Sequence, residues 1–236
     1  MSIATEISRL QTAKADIKTA IEAKGVTVPS NATLDSYDTY VSQISGGGTN
    51  YLNDYIKGTM TVFDVNTMGT FTNKLPAGFG EEFASVTTVD LTGTGCTGWN
   101  GGSVSHGPFY YGTSNSTLET IKIPSTCNSI SDYCFFRLDG LKLLDYNANV
   151  TNLPRNAFRA NSAITTQVDI VLRRSTMYSL RDNPVSSTNA TFRNYQNMRI
   201  FVPSSLKSTY EANTNWAALV TAGYATFYTI ENSIYE

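Results

Sequence analysis

A single histidine, His106, and three cysteines, Cys96, Cys127 and Cys134, bound the chemistry open to this chain. One histidine cannot build a metal site that needs two or three imidazoles, and no C-x-x-C spacing occurs, so neither a zinc site nor a disulfide scaffold is expected. Cys134 reads as core, and Cys127, in a turn after Pro124, as either buried or free. A Ser-His-Asp arrangement would have to use His106, inside a Gly-rich segment, and is not expected. Asp132, Asp139 and Asp145 could pair for glycoside hydrolysis, which needs two carboxyls at a suitable separation. Asp132 and Asp139 fall on turns, however, where Asp closes the backbone. The run Gly93-Thr94-Gly95-Cys96 lacks the Lys-Ser/Thr of a phosphate loop and reads as a turn. No catalysis, metal or cofactor is therefore expected, and what is left is recognition. The chain holds 14 tyrosines and 11 phenylalanines, and Tyr, with an apolar ring and a polar tip, suits a wet binding face. Trp99, His106, Tyr110 and Tyr111, with neighbouring Ser and Asn, could form an aromatic platform for a sugar. The alternative is that Trp99 and Tyr110 cover the core.

Positioning such residues falls to a repeat. Leu118, Leu141 and Ile164 are evenly spaced, and the same interval separates Ile130 from Leu153 and Phe135 from Phe158. Each unit reads as a hydrophobic strand start, a short turn, a buried Ile or Leu, then a small residue plus Phe, as in Cys134-Phe135 and Ala157-Phe158. A fixed period in the range of roughly 20–29 residues marks a solenoid, whose units bury their apolar faces only by stacking. The segment Leu118-Glu119-Thr120-Ile121-Lys122-Ile123-Pro124 alternates apolar and polar, as a strand with one buried face should, and Pro124 stops it. The unit from Leu141 to Phe158 repeats this with Leu143, Leu153 and Pro154, while Leu144 breaks the alternation. A third unit, from Ile164, runs through Val168 and Ile170 and then loses register.

The stretch from Thr117 to Phe158 resembles the BspA-like class of leucine-rich repeats, whose units carry an L-x-x-I-x-I-P strand and an I-x-x-x-A-F return. The matching residues are Leu118, Ile121, Ile123 and Pro124 with Ile130, Cys134 and Phe135. The next unit supplies Leu141, Leu144, Leu153, Ala157 and Phe158. Ile200, Val202, Pro203, Tyr210 and Trp216 resemble the terminal unit of such arrays. Weaker copies lie at Leu75-Pro76 through Phe79 and at Val86 through Leu91. From Val89 to Ile121 the spacing exceeds one unit, so an insertion sits there. It spans Gly93 to Ser116 and contains Trp99, His106, Tyr110 and Tyr111. A second irregular stretch, Arg173 to Asn197, precedes the closing unit.

At the start of the chain Ile3, Ile7, Leu10, Lys14, Ile17 and Ile21 are spaced alternately four and three, the seam of a coiled coil. β-Branched residues at both core positions favour trimers or tetramers over dimers. Ser2 can cap this helix, Glu6 suits its first turn, and Lys24 with Gly25 its end. The helix would be about 33 Å long at roughly 1.5 Å per residue. Equally, it could fold back on a second apolar stripe, Leu34, Tyr37, Val41 and Ile44. The segment also resembles a small module of bacteriophage virion proteins, found at one end of tail or fibre components. The matching residues are Ile17, Ala20, Ile21, Lys24, Gly25, Val28-Pro29, Thr33, Leu34, Asp35, Tyr37, Val41 and Ile44.

Gly46-Gly47-Gly48 reads as a flexible joint. Beyond it Tyr55, Ile56, Met60, Val62, Phe63 and Val65 read as one or two strands capping the first edge of the array. The fold class expected is α/β: a helical, coiled-coil-like module over residues 1–48, then a leucine-rich-repeat solenoid of short parallel strands with loop insertions over 49–236. With a net charge of −2 and 15% charged residues there is no basic field for nucleic acid. No apolar run approaches the ~18 residues of a membrane span, and Met1 to Ile21 lacks the core of a signal peptide, so no membrane insertion is expected.

A phage-like anchor beside a repeat class used in adhesion implies a bacteriophage virion structural protein, a tail or head fibre or appendage. It would be assembled in the host bacterial cytoplasm. The partners implied are further copies of the chain as a homotrimer, other virion proteins, and a host-surface glycan or protein. The alternatives are an architectural head or baseplate decoration protein without a receptor, a bacterial surface adhesin, which would need an export signal, and an enzyme acting on surface polysaccharide.

Overall fold

Short apolar-polar alternations, each stopped by a turn, make the strands that carry most of the chain. In the computed structural model these are β1 (Val62–Phe63), β2 (Lys74–Leu75), β3 (Thr88–Asp90), β4 (Gly98–Trp99), β5 (His106–Gly107), β6 (Tyr110–Tyr111), β7 (Thr120–Ile123), β8 (Ser129–Ile130), β9 (Leu143–Tyr146), β10 (Asn152–Leu153), β11 (Val168–Leu172), β12 (Ser179–Leu180), β13 (Met198–Val202) and β14 (Ala225–Thr229). The helices are α1 (Ile3–Glu22), α2 (Tyr37–Ser42), α3 (Val65–Met68), α4 (Lys207–Ala212) and α5 (Thr214–Thr221). The structure describes residues 2–42, 60–75, 85–100, 106–107, 110–111 and 116–236, with backbone alone at 42, 106–107 and 110–111. The chain divides into two units, Met1–Thr49 and Asn50–Glu236.

In the larger unit β1, β3, β7, β9, β11, β13 and β14 form one parallel sheet in that order. Its register explains the sequence pattern. Phe63, Val89, Ile121, Leu144, Ile170, Ile200 and Phe227 lie side by side, one per strand, and all are buried. Return segments build a second layer, with Leu75, Trp99 and Ile130 in register across β2, β4 and β8, and Leu153 beside Leu180 across β10 and β12. Gly98 occupies a place where a Cβ would lie 2.2 Å from the Ser129 carbonyl oxygen, so the approach of β4 to β8 excludes any side chain there.

Between the layers runs a column of rings. Phe135 and Phe158 stack at 4.8 Å and 8°, and Phe158 and Phe192 at 5.6 Å and 16°. Trp99 lies 4.4 Å from Phe135 at one end, and Trp216 lies 6.0 Å from Phe192 at the other. The small slot before each Phe ring holds Cys134, Ala157 or Thr191, all buried. Thr191 satisfies its hydroxyl by donating to the Pro154 carbonyl at 2.9 Å. Tyr178 threads the same interior: its hydroxyl donates to the Ala148 carbonyl at 2.8 Å, and its own carbonyl accepts from Trp216 Nε1 at 2.7 Å.

Several expectations need correction. Leu144, not Leu143, points inward, because β9 keeps the register of β7, with Leu143 beside Thr120 and Leu144 beside the buried Ile121. Ile164 does not continue the Leu118–Leu141 row; β11 pairs with β9 further along the chain, Ile170 beside Leu144, and Ile164 instead bridges to Tyr195. The stretch from Arg173 to Asn197 is not an interruption but a full return segment that contains β12 and Phe192. Val89 and Ile121, although further apart in sequence than one unit, do lie on neighbouring strands. The start of the sheet is one short strand, β1, followed by α3; Tyr55, Ile56, Pro76 and Phe79 lie outside the described residues.

In the smaller unit the Ser2 hydroxyl caps α1 by accepting from the Thr5 amide at 3.2 Å, and Gly25 takes the left-handed conformation at φ 86° just past its end. The chain then folds back. Ile21, Val26, Val28, Ala32 and Tyr37 form a small core, Lys18 Nζ donates to the Val28 carbonyl at 2.5 Å, and the Lys14 ammonium sits 6.0 Å from the Tyr37 ring centre. Ile21 and Lys14 are thus engaged within the chain, while Ile3, Ile7, Leu10 and Ile17 stay exposed. Of the second stripe only Tyr37 is buried; Leu34 and Val41 are exposed, and Ile44 and Gly46–Gly48 lie outside the described residues.

The ring column makes a direct prediction. Phe158→Ala, which opens a void between two stacked rings, costs about 3–5 kcal/mol in guanidinium unfolding, and Phe158→Leu costs less. A loss below about 1 kcal/mol for the alanine variant would mean that the column does not support the stack.

Candidate functional site

The outward face of the large sheet carries charge where the inward face carries apolar rows. Asp90, Lys122 and Asp145 lie in register on β3, β7 and β9, and Asp169 faces Arg199 across β11 and β13. Cross-strand pairing follows from that register. Lys122 Nζ reaches Asp90 at 2.8 Å. Arg173 grips Asp145 with Nε at 2.7 Å and Nη2 at 2.8 Å, and Arg199 grips Asp169 with Nε at 2.8 Å and Nη2 at 2.5 Å. Next to the first of these pairs, beyond the carboxyl ends of β7 and β9, is a cleft of about 540 Å³ lined by Lys122, Pro124, Thr126, Asp145, Asn147 and Arg173, among others.

Beyond this cleft the face is covered. Arg173 Nη1 donates to the Tyr235 carbonyl at 2.9 Å, and the Tyr235 hydroxyl donates to Asp169. The Tyr235 ring packs edge-on against Phe201 at 4.8 Å. The segment after β14 therefore straps β11 and β13, and Val171 and Phe201, outward in the alternation, are buried. Burial works against the Asp169 carboxylate, yet hydrogen bonds from Arg199 and Tyr235 outweigh it and hold its pKa below the usual range. At Asp90 burial is outweighed in the same way by Lys122 and Thr92.

The aromatic candidates separate. Trp99 is fully buried as the end of the ring column. It is a core residue and offers no face to a ligand, because its place in β4 points it between the layers. His106 and Tyr110–Tyr111 lie on β5 and β6, an antiparallel pair with His106 opposite Tyr111; their side chains lie outside the described residues. The anchor candidates Ile3, Ile7, Leu10 and Ile17 share one face of α1, whereas Lys14 and Ile21 meet the α2 side of their own unit. All three cysteines are free and buried. Cys127 Sγ donates to the Cys96 carbonyl at 3.2 Å; its hydrogen bonding to Cys96 and its burial push its pKa up. Sequence reasoning missed the charged rows, although the polar positions of the Thr120–Ile123 alternation were their signal.

Stacked parallel strands joined by return segments, with a continuous core between, form a repeat-like arrangement that fits a leucine-rich-repeat domain. Residues 109–217 match the BspA type leucine rich repeat region, in six copies. That match is consistent with a surface-adhesion repeat domain. None of the curated proteins compared matches the chain. Among the described residues no group of three His, Cys, Asp or Glu could hold a metal ion, and no helix is long and apolar enough to cross a membrane.

Asp169 generates a pH prediction. Its folded pKa lies below the ordinary 3.8, so its contribution to stability is complete above that value and is lost as the pH falls below it. Melting temperatures measured from pH 5 down to pH 2 should fall for the parent protein and fall less steeply for Asp169→Asn. At neutral pH that variant, which gives Arg199 and Tyr235 one neutral amide oxygen in place of two carboxylate oxygens, should be about 1–3 kcal/mol less stable.

Proposed function

We propose that this chain is a bacteriophage virion structural protein, a fibre or appendage that oligomerises and attaches through its N-terminal helix and presents the repeat domain for adhesion to a host surface. The observation that carries the oligomer is the exposed apolar stripe on α1, where Ile3, Ile7, Leu10 and Ile17 are 81, 50, 51 and 43% exposed. Large apolar side chains in a heptad pattern gain by covering one another, and isoleucine at both core positions favours three strands or more. The folded-back segment takes Ile21 and Lys14 from that seam and leaves Ile3, Ile7, Leu10 and Ile17 exposed, so a folded-back module and a self-associating stalk are compatible. What supports adhesion is the BspA-type match over residues 109–217, together with the long sheet face that stacking repeats create.

Light scattering on the intact protein tests the stalk: a trimer at micromolar concentration is expected, and Ile7→Asp should give monomers whose repeat domain melts unchanged. A parent protein that is monomeric at that concentration sinks the stalk. Adhesion is tested separately, by comparing the binding to bacterial cells of the whole chain and of a chain lacking residues 49–236; equal binding by both would remove the repeat domain from that role.

A further inference from the structure

The residue after each Phe of the column lies on the return side of the stack: Phe136 after Phe135, Arg159 after Phe158, Arg193 after Phe192. The Arg159 guanidinium carbon lies 5.2 Å from the Phe136 ring centre and that of Arg137 lies 5.3 Å from it. Arg159 Nη1 donates to the Thr188 carbonyl at 3.4 Å, and Arg193 Nη1 donates to the same oxygen at 3.1 Å. Two guanidinium groups therefore converge on one neutral acceptor.

Nothing among the described residues neutralises these two. Arg155 and Arg181 pair with Asp182 and Asp132, whereas the hydrogen-bond acceptors of Arg159 and Arg193 are the Thr188 carbonyl and the Asn156 amide oxygen. Arg159 Nε is buried without a hydrogen-bond partner. Burial, and then the positive charges of Arg193 and Arg137, lower the pKa of Arg159. Both side chains are partly exposed and Thr188 is exposed, so the pair can be reached from solvent.

We propose that Arg159 and Arg193, flanked by Arg137, form a binding site for a tetrahedral oxyanion, a phosphate or sulfate group. A guanidinium presents N–H donors in a planar fork that matches such oxygens. A planar carboxylate fills one fork, whereas a tetrahedral anion can offer separate oxygens to two forks from successive repeats. The Phe136 ring backs the site and limits hydration of the cations above it. The anion is either a free ion or an ester on a polymer.

The test uses the intact protein and anions alone, so it does not depend on whether the chain binds cells. Melting temperature is followed against sodium sulfate and sodium phosphate, with ionic strength held constant by sodium chloride. Sulfate or phosphate should give a saturable rise that chloride does not. Arg193→Gln should weaken that response about tenfold or more, as expected for the loss of a charge-assisted hydrogen bond, and Arg193→Lys, which keeps the charge without the fork, should fall between. Since the substitution removes a like-charge contact, Arg193→Gln without added anion should melt no lower than the parent, which shows that it folds. Dextran sulfate distinguishes the two sources: tighter binding than free sulfate assigns a polymer ester, and equal binding assigns the free ion, and either supports the site. Identical behaviour of sulfate, phosphate and chloride, or a full response in Arg193→Gln, overturns it.

Discussion

Neighbouring parallel strands sit about 4.8 Å apart, and that distance decides what can lie inside this stack. Aromatic rings one repeat apart then fall within the range of roughly 4.5–7 Å in which ring pairs attract. The separations in the column, 4.4, 4.8, 5.6 and 6.0 Å from Trp99 to Trp216, begin near that spacing and widen toward the closing end of the array. A ring in each layer from β3 to β13 helps to set how far the return segments stand from the sheet. The charged outward rows and the arginines on the return side are therefore held in line by the same interior.

The repeat was legible in the sequence only where the loops are short. Strands β7 and β9 pair Thr120 with Leu143, and Phe135 and Phe158 stand at that same offset, so the two rings could be aligned by counting. Elsewhere a solenoid absorbs extra residues in its turns without disturbing strand register, and the longer steps from Leu144 to Ile170 and from Ile170 to Ile200 defeat a fixed period. Phe192 escaped because Thr191 stands where Cys134 and Ala157 stand, and a hydroxyl reads as polar until its acceptor, the Pro154 carbonyl, is known. Trp99 was misplaced because a Gly- and Thr-rich neighbourhood resembles a surface loop. Here the glycine at 98 serves a close backbone approach, and the tryptophan beside it closes the column.

The candidate site was less legible than the fold. Several residues that looked chemical by type are not at the surface: the cysteines are buried and Trp99 is interior. Ordinary Lys, Asp and Arg residues instead gain significance from register, which brings Asp90 beside Lys122 and Asp169 beside Arg199. The N-terminal unit shows a related division of labour within one helix. Periodicity identified the apolar seam of α1, but only the chain's return showed that Ile21 serves the unit's own core.

The two ends of the sheet are finished differently. At β1 the first strand is two residues long, whereas β14 contributes five and is backed by α4, α5 and Trp216, which touches Phe192, Tyr210 and Phe227. In a stack whose layers contact only their neighbours, local opening begins at the end with the weakest interface. Fraying should therefore start at β1 and travel inward, leaving the β11–β14 end as the most persistent remnant. Proteolysis or hydrogen exchange would register that as a gradient running the length of the array.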